Sequence, residues 1–227
     1  MKKIFLKNDP NFRDCIEVLN GLKIDYWICH GTLLGIIRDR SLISWDNDID
    51  IGSWEIKNKE FIISEFAKRG FRCRNKSFGN NYLLSFEKGK NRAVDINFYE
   101  VDKSGKYCFQ RHYALKNILC RLIYVLSVAK NYRGKYKLLI NKFAFASKFF
   151  EKIKKYLEKF DLFYVDAGFK TKVKYFKNLK LIKYYDLNIK IPIFYKNYFD
   201  DLYGKNWKIP DKNYYWEKNK NKSILKK

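Results

Sequence analysis

The sequence of 227 residues lacks any long apolar stretch. No run reaches the roughly 18 apolar residues that a membrane-spanning helix needs. At the N-terminus, the charged opening MKK is followed by only three apolar residues, 4–6, which is too short for the apolar core of a signal peptide. The sequence therefore predicts neither feature and favours a cytoplasmic location.

Residues that bind soft metals are also scarce. The five cysteines are odd in number and widely spaced, and none forms a Cys-x-x-Cys pair, so we expect reduced thiols. The two histidines, His30 and His112, have no partner at metal-ligand spacing, which favours structural roles. No internal repeat, Walker loop or G-x-G-x-x-G motif is present, and no recognisable nucleic-acid module, so nucleic acid is not an expected partner.

What the sequence has in excess is aromatic residues and positive charge. Aromatic residues make up 19%, far more than a disordered chain carries, and the length suits one sizeable core with a small accessory lobe. Residues 1–100 hold 17 Lys and Arg against 14 Asp and Glu, whereas residues 101–227 hold 31 against 10. A basic half indicates an anionic partner. The alternative, a lysine- and asparagine-rich codon bias, explains the excess of these residues but not why the first half lacks it.

Three acidic residues recur at alternate positions in the segment 45–51, which reads WDNDIDI. In a strand, residues two apart point to the same side, so Asp46, Asp48 and Asp50 share one face. Crowded carboxylates repel one another unless a cation lies between them, and carboxylate oxygens are ligands that magnesium prefers. A solvated loop is the alternative, and the intervening Ile49 and Ile51 argue against it.

The segment before the aspartates predicts a phosphate-binding turn. An apolar strand, 24–29, runs into Gly31 and Thr32, and a short helix then carries Arg38 away. Free amides at a helix start cradle phosphates, and an arginine can bind one in bidentate fashion. His30 beside this turn is a candidate substrate contact. For Arg38, a pairing with Asp39 on the helix surface is the competing interpretation.

A further acidic residue, Asp95, lies inside the apolar strand predicted over 93–98. We expect it to act as a metal ligand or as a base.

Beyond residue 100 we expect mainly helices. Segments 114–130 and 138–150 are apolar with few charges, and 151–160 continues as helix, whereas 161–190 shows little clear period. The predicted divisions are a catalytic core at 1–100, a helical, basic and aromatic accessory region at 101–190, a C-terminal motif at 191–210 and a basic tail at 211–227. The helical region either packs on the protein or lies peripherally on the inner face of a membrane.

Two motifs together resemble the LicD family, which includes bacterial phosphocholine transferases and the fukutin-related proteins. The first is GTLLG at 31–35 with Arg38 and the aspartate run, and the second is YGKNWKIP at 203–210. The resemblance implies an α+β fold with a nucleotidyltransferase-like mixed sheet flanked by helices. It implies catalytic and metal-binding roles for Asp48, Asp50 and Asp95, with one or two Mg²⁺ ions. The substrate-binding residues would be His30, Gly31, Thr32, Arg38, Asp46, Tyr203 and Trp207.

The same resemblance implies a reaction. Enzymes of this type take a CDP-alcohol donor and pass its phospho-alcohol, for example phosphocholine, to a sugar hydroxyl of a glycan acceptor, and CMP is released. The acceptor would be a cell-surface glycan that is lipid-linked or part of lipopolysaccharide or capsule. Two alternatives stay open: a nucleotidyltransferase that moves NMP from an NTP and releases pyrophosphate, and a non-catalytic basic binding protein on the same fold.

Overall fold

The computed structural model describes residues 9–74, 82–110, 113–132, 136–166 and 168–214. These residues form two compact units. The first unit combines the described residues of 9–110 with those of 169–214, and the second contains those of 113–168.

The elements of both units follow in chain order. They are α1 (Pro10–Gly21), β1 (Tyr26–Ile28), α2 (His30–Arg38), β2 (Asp48–Trp54), α3 (Glu60–Lys68), β3 (Arg72–Cys73), β4 (Leu83–Glu87), β5 (Ala93–Val101), β6 (Tyr107–Gln110), β7 (Tyr113–Leu115), α4 (Ile118–Ser127), α5 (Lys137–Asn141), α6 (Ser147–Lys159), β8 (Tyr164–Asp166), β9 (Phe169–Lys172), α7 (Lys174–Lys177), β10 (Leu179–Tyr184), β11 (Leu187–Pro192) and α8 (Tyr195–Tyr203).

A seven-stranded mixed sheet organises the first unit. Its strand order is β1-β2-β5-β4-β3, and β6 joins β5 to β9. The strands β2 and β5 run parallel, and every other pairing in this sheet is antiparallel. Helices α1 and α3 lie beside this sheet, and the hairpin β10–β11 packs along β1. The α+β class with a mixed sheet, predicted from the sequence, is confirmed.

The two central strands separate the sheet into an apolar and a polar face. Ile49 and Ile51 of β2 and Val94 and Ile96 of β5 are fully buried in the core. The residues between them are acidic or polar and point to the opposite side, as the period of a strand requires. The apolar face fixes the register, because a slip of one residue would turn the acidic side chains into the core.

Local sequence signals account for several boundaries. Helix α1 begins with Asp9 as its cap: the Asp9 carboxylate accepts from the amide of Asn11 at 2.9 Å, and Pro10 is the first helical residue. Helix α8 ends before Gly204, whose φ of 84° is in the left-handed region that favours glycine. The part of the predicted basic tail beyond residue 214 lies outside the described residues.

The second half of the chain holds more strand than the sequence indicates. Helix predominates there, as predicted, but the segment 161–190, whose sequence shows little clear period, contains β8, β9, β10 and most of β11, which ends at Pro192. The predicted helix 138–150 is also not continuous, because α5 ends at Asn141 and α6 begins at Ser147. Strand β10 illustrates why the strands are missed: four of its six side chains are exposed or half-exposed lysine and leucine, so no alternation marks its buried face.

The second unit has its own small core. Strands β7 and β8 pair in antiparallel fashion, and α4 packs against α6. Cys120, Ile123 and Phe163 are buried between these elements, with partly buried residues of α6 against them.

One close contact in the first unit gives a stability prediction. Trp27 is fully buried, stacks on Phe176 at 4.6 Å between ring centroids, and pairs with Gly52 across the β1–β2 ladder. A Cβ at position 52 would overlap the indole of Trp27. We expect Gly52→Ala to lower the free energy of unfolding by about 1–3 kcal/mol, the usual cost of overpacking a core.

Gly21→Ala is the matched control, because no atom lies within 4 Å of a Cβ built there. Chemical denaturation of both variants measures the two effects. Equal stability of Gly52→Ala and the unmodified protein would contradict the packing described for Trp27.

Candidate active site

Pairing of β2 with β5 brings together two aspartates that lie far apart in the sequence. Asp50 is the direct partner of Asp95 in the parallel register, and Asp48 lies two residues earlier on the same side of β2. The fourth member, Asp46, precedes the strand and its carboxyl group is hydrogen-bonded to that of Asp48. The structure therefore brings all four predicted acidic residues together, on the polar face of the sheet.

Burial raises the pKa of every carboxyl in this cluster, and repulsion from neighbouring carboxylates adds to the shift at Asp48, Asp50 and Asp95. Desolvation raises the pKa of Asp48 to about 7, and the neighbouring charge of Asp46 adds to the shift. Desolvation likewise raises the pKa of Asp95 to about 6. The pKa of Asp50 is raised well above its usual range by burial and by the charges of Asp48, Asp46 and Asp95. Such shifts are typical of functional sites.

Neighbouring polar side chains hold two of these carboxyls in place. The hydroxyl of Ser85 donates to Oδ1 of Asp95 at 2.5 Å. The amide of Asn97 donates to Oδ1 of Asp50 at 3.4 Å. Sequence reasoning missed both residues. The side of the strand on which Asn97 lies could have been predicted, because Asn97 follows Asp95 by two residues on the same strand. The position of Ser85 beside Asp95 follows only from the pairing of β4 with β5.

The glycines of the GTLLG segment make room for the loop that carries Asp46. A Cβ at Gly31 would overlap the carboxylate of Asp46, and a Cβ at Gly35 would lie 2.6 Å from the carbonyl oxygen of Ser41. Gly31 and Thr32 lie in the first turn of α2 rather than in a separate turn before it. The Thr32 hydroxyl accepts from the amide of Asp50 at 2.8 Å, so it anchors α2 to β2.

Arg92 holds the same loop from the core side, a role that no sequence pattern indicated. Its guanidinium is fully buried, 3.2 Å from the carboxylate of Asp9. It donates to the carbonyl oxygens of Ile43 at 2.9 Å and of Asp46 at 3.1 Å. Because a buried charge is costly unless it is paired and hydrogen-bonded, these contacts hold the loop firmly beside the sheet.

His30 links the C-terminal helix to this face of the sheet. Its Nδ1 lies 3.1 Å from the hydroxyl of Tyr198 in α8, and its Nε2 lies 2.9 Å from Oε1 of Gln110. The Gln110 amide in turn donates to Oδ1 of Asn97 at 2.6 Å. Burial lowers the pKa of His30 to about 4, so the imidazole is neutral at neutral pH. A chain of hydrogen bonds thus runs from Tyr198 through His30 and Gln110 to Asn97, which donates to Asp50.

The remaining predicted residues have contacts of a different kind. Arg38 donates to both carboxylate oxygens of Asp39, at 2.8 and 2.7 Å, and lies 3.4 Å from the carbonyl oxygen of Trp207. Trp207 is buried and donates from its indole nitrogen to Asp200 at 3.1 Å. The pKa of the Tyr203 phenol is raised by burial and by nearby charges that include those of Asp50 and Asp46. The substrate-binding roles of these three residues stay predictions.

The donor set of the cluster suits a hard cation. All four side chains offer carboxylate oxygens, and their raised pKa values show that they lack enough compensating positive charge. In the part of the chain that the structure describes, no group of three or more His, Cys, Asp or Glu side chains is placed to hold a metal ion by itself. Two carboxylates that share a cation with substrate phosphates need no such group.

Comparison with known proteins gives the class of this domain. Residues 23–118 match the family model described as "LicD/FKTN/FKRP, nucleotidyltransferase domain". The matched segment covers β1, the GTLLG helix and all four aspartates. The segment 23–118 is therefore similar to the nucleotidyltransferase domain of the LicD/FKTN/FKRP family.

Individual relatives are similar over part of their length. An uncharacterized protein of Rickettsia typhi, RT0683, is 32% identical over 93 residues, which cover 40% of this chain and 28% of that protein. The human ribitol-5-phosphate transferase FKTN is 30% identical over 86 residues, 37% of this chain and 18% of FKTN. The chain thus spans well under half of either relative. Among solved structures, the antibiotic-resistance factor ANT(2″)-Ia aligns over 65% of this chain and 89% of its own, with 10% identity and a TM-score of 0.32.

The raised pKa values lead to a prediction for the metal-free protein. A carboxyl whose pKa is higher in the folded state binds its proton more tightly there, so its contribution to stability is full below pH 4 and is lost as the pH rises through 7. Asp48→Asn removes this loss. At pH 8, in the presence of a chelator, we expect this variant to exceed the unmodified protein in free energy of unfolding by about 1–3 kcal/mol.

The difference should shrink towards pH 5, where Asp48 is protonated in the folded state. Thermal and chemical unfolding at both pH values measure it. Asp186→Asn is the control, because Arg13 holds the pKa of Asp186 below its usual value and the variant should show no gain. A loss of stability on Asp48→Asn at pH 8 would contradict the electrostatics described for the cluster.

Proposed function

We propose that the protein is a metal-dependent phosphotransferase that moves a phospho-alcohol from a CDP-alcohol donor to a sugar hydroxyl of a glycan and releases CMP. The observation that carries this proposal is the set of four crowded carboxyls, Asp46 just before β2, Asp48 and Asp50 on β2 and Asp95 on β5, in a segment similar to the LicD/FKTN/FKRP nucleotidyltransferase domain. The name of the human relative, a ribitol-5-phosphate transferase, supports a phospho-alcohol as the transferred group.

Mg²⁺ is the cofactor that the donor set favours, held by Asp48 and Asp50, with Asp95 as a further ligand or as the base. Bound there, the ion supplies positive charge to the donor phosphates. Phosphoryl transfer needs little covalent participation by the protein, so alignment and charge compensation are the main tasks of the residues. The backbone amides at the start of α2 lie beside Asp46 and offer hydrogen-bond donors to a phosphate.

Asp95 is the residue best suited to accept a proton. Its pKa of about 6 leaves it ionised at neutral pH and still basic enough to accept the proton of the attacking hydroxyl. Ser85 fixes one carboxylate oxygen and leaves the other for the acceptor. In the proposed step, the acceptor oxygen forms a bond to the phosphorus that carries the alcohol, the bond to the CMP oxygen breaks, and the hydroxyl proton passes to Asp95.

A donor panel tests this proposal. The purified protein is incubated with Mg²⁺ and, separately, with CDP-ribitol, CDP-choline, CDP-ethanolamine, CDP-glycerol, CTP and ATP, and the products are identified by mass spectrometry. We expect CMP from one CDP-alcohol, by slow transfer to water, and no product with a chelator present. Pyrophosphate from an NTP would instead indicate a nucleotidyltransferase.

Asp50→Asn is the variant that decides whether the cluster performs the reaction. We expect it to lower CMP release by about 10²- to 10³-fold, the scale of removing one electrostatic group from an active site. Asp186→Asn, an exposed carboxylate paired with Arg13, should leave the rate unchanged. Full activity in a folded Asp50→Asn protein would exclude the cluster as the catalytic centre.

A further inference from the structure

The second unit exposes an unusual amount of apolar surface. Twelve of its large apolar side chains are more than 40% exposed, whereas only three hydrophobic residues form the buried centre of its own cluster. Large contiguous apolar patches on a folded protein mark surfaces that bind a partner or a lipid phase. A partner or a lipid phase is therefore expected to cover this surface.

The exposed residues of α6 form a ridge along the helix. Phe149 and Tyr156 are seven residues apart, so they lie on nearly the same side, and they are 62% and 63% exposed. Phe160, just after the helix, follows on that side and contacts the ring of Tyr156 at 4.9 Å between centroids. The inward side of α6, with Phe150, Ile153 and Leu157, packs on the small core instead. We call Phe149, Tyr156 and Phe160 the aromatic ridge.

Positive charge borders this ridge on one flank. Helical geometry places Lys148, Lys152, Lys155 and Lys159 side by side along α6, next to the ridge. Lys155 pairs with Glu151 at 3.0 Å, and the ammonium group of Lys159 lies 5.9 Å from the ring centroid of Phe160. The whole segment 113–168 carries twelve Lys and Arg against four Asp and Glu. An apolar ridge bordered by lysines is the pattern of a helix that lies in a membrane interface.

We infer that α6 docks on an anionic phospholipid surface, with the aromatic ridge among the acyl chains and the lysines at the lipid phosphates. Charge complementarity favours this occupant over a second copy of the chain, which would bring the same positive flank. Among the described residues, no helix is long and apolar enough to cross a membrane, so the contact would be peripheral. This inference stands apart from the proposed activity, because lipid binding needs no turnover.

Co-sedimentation with vesicles tests the inference. The full chain is mixed with vesicles of phosphatidylcholine and phosphatidylglycerol in equal parts, or of phosphatidylcholine alone. We expect binding to the anionic vesicles that weakens as salt is raised, because screening reduces the attraction of lysines to lipid phosphates. The double variant Phe149→Ser/Tyr156→Ser should lower the partition coefficient about tenfold or more.

Leu181→Ser is the matched control. Leu181 is 67% exposed on β10, outside the ridge, so its loss should leave vesicle binding unchanged. Lys152→Gln/Lys159→Gln should reduce binding to anionic vesicles and keep the folded state, as checked by circular dichroism. Equal binding of the ridge variant and the unmodified protein, or no binding to anionic vesicles, would overturn the inference. Self-association without lipid that the ridge variant abolishes would also overturn it, in favour of a second copy as the occupant.

Discussion

The parallel pairing of β2 with β5 places Asp50 opposite Asp95, and the other features of the candidate site depend on this register. The apolar faces of the two strands are buried in the core, so the acidic faces cannot turn away from each other. The consequence is a set of carboxyls whose ionised forms are destabilised by burial and by repulsion from one another. A site of this kind lowers the stability of the fold, and it is retained where a ligand of opposite charge compensates the repulsion between the carboxylates.

The surroundings of the cluster are built to keep it in place. Gly31 lets the helix approach Asp46, Thr32 anchors that helix to the amide of Asp50, and Arg92 holds the loop between them. On the other side, Tyr198 of the C-terminal helix reaches His30, whose hydrogen bonds continue through Gln110. The residues after 190 therefore belong structurally to the same centre as the first hundred, although they lie far from it in the sequence.

The sequence predicted those parts of the site that depend on local patterns. The alternation of aspartates with isoleucines predicted a strand with one acidic face. Ser85, Gln110 and Arg92 could not be predicted in this way, because their roles depend on which strands become neighbours. Strand β10 was missed for another reason: its two lysines, Lys180 and Lys183, lie on opposite sides of the strand, so burial is not reflected in a period of two.

Arg38 shows how a motif can be located correctly while its chemistry is left open. The resemblance assigns it to phosphate, whereas the structure pairs it with Asp39 and brings it near the backbone of Trp207. These contacts join the two ends of the family pattern, GTLLG and the C-terminal motif, in one place. An arginine that links two segments can still exchange a carboxylate for a phosphate when a donor binds, since both anions suit its planar geometry.

Cation binding by the protein without substrate is the decisive measurement for the proposed metal site at the carboxyl cluster. Mn²⁺, which has the same preference for oxygen ligands as Mg²⁺ and can be detected by electron paramagnetic resonance, is titrated into the unmodified protein, Asp50→Asn and Asp186→Asn. We expect saturable binding that Asp50→Asn weakens by about tenfold or more and that Asp186→Asn leaves unchanged. Equal affinity in all three proteins, or no saturable binding in any of them, would exclude a divalent-cation site at the cluster.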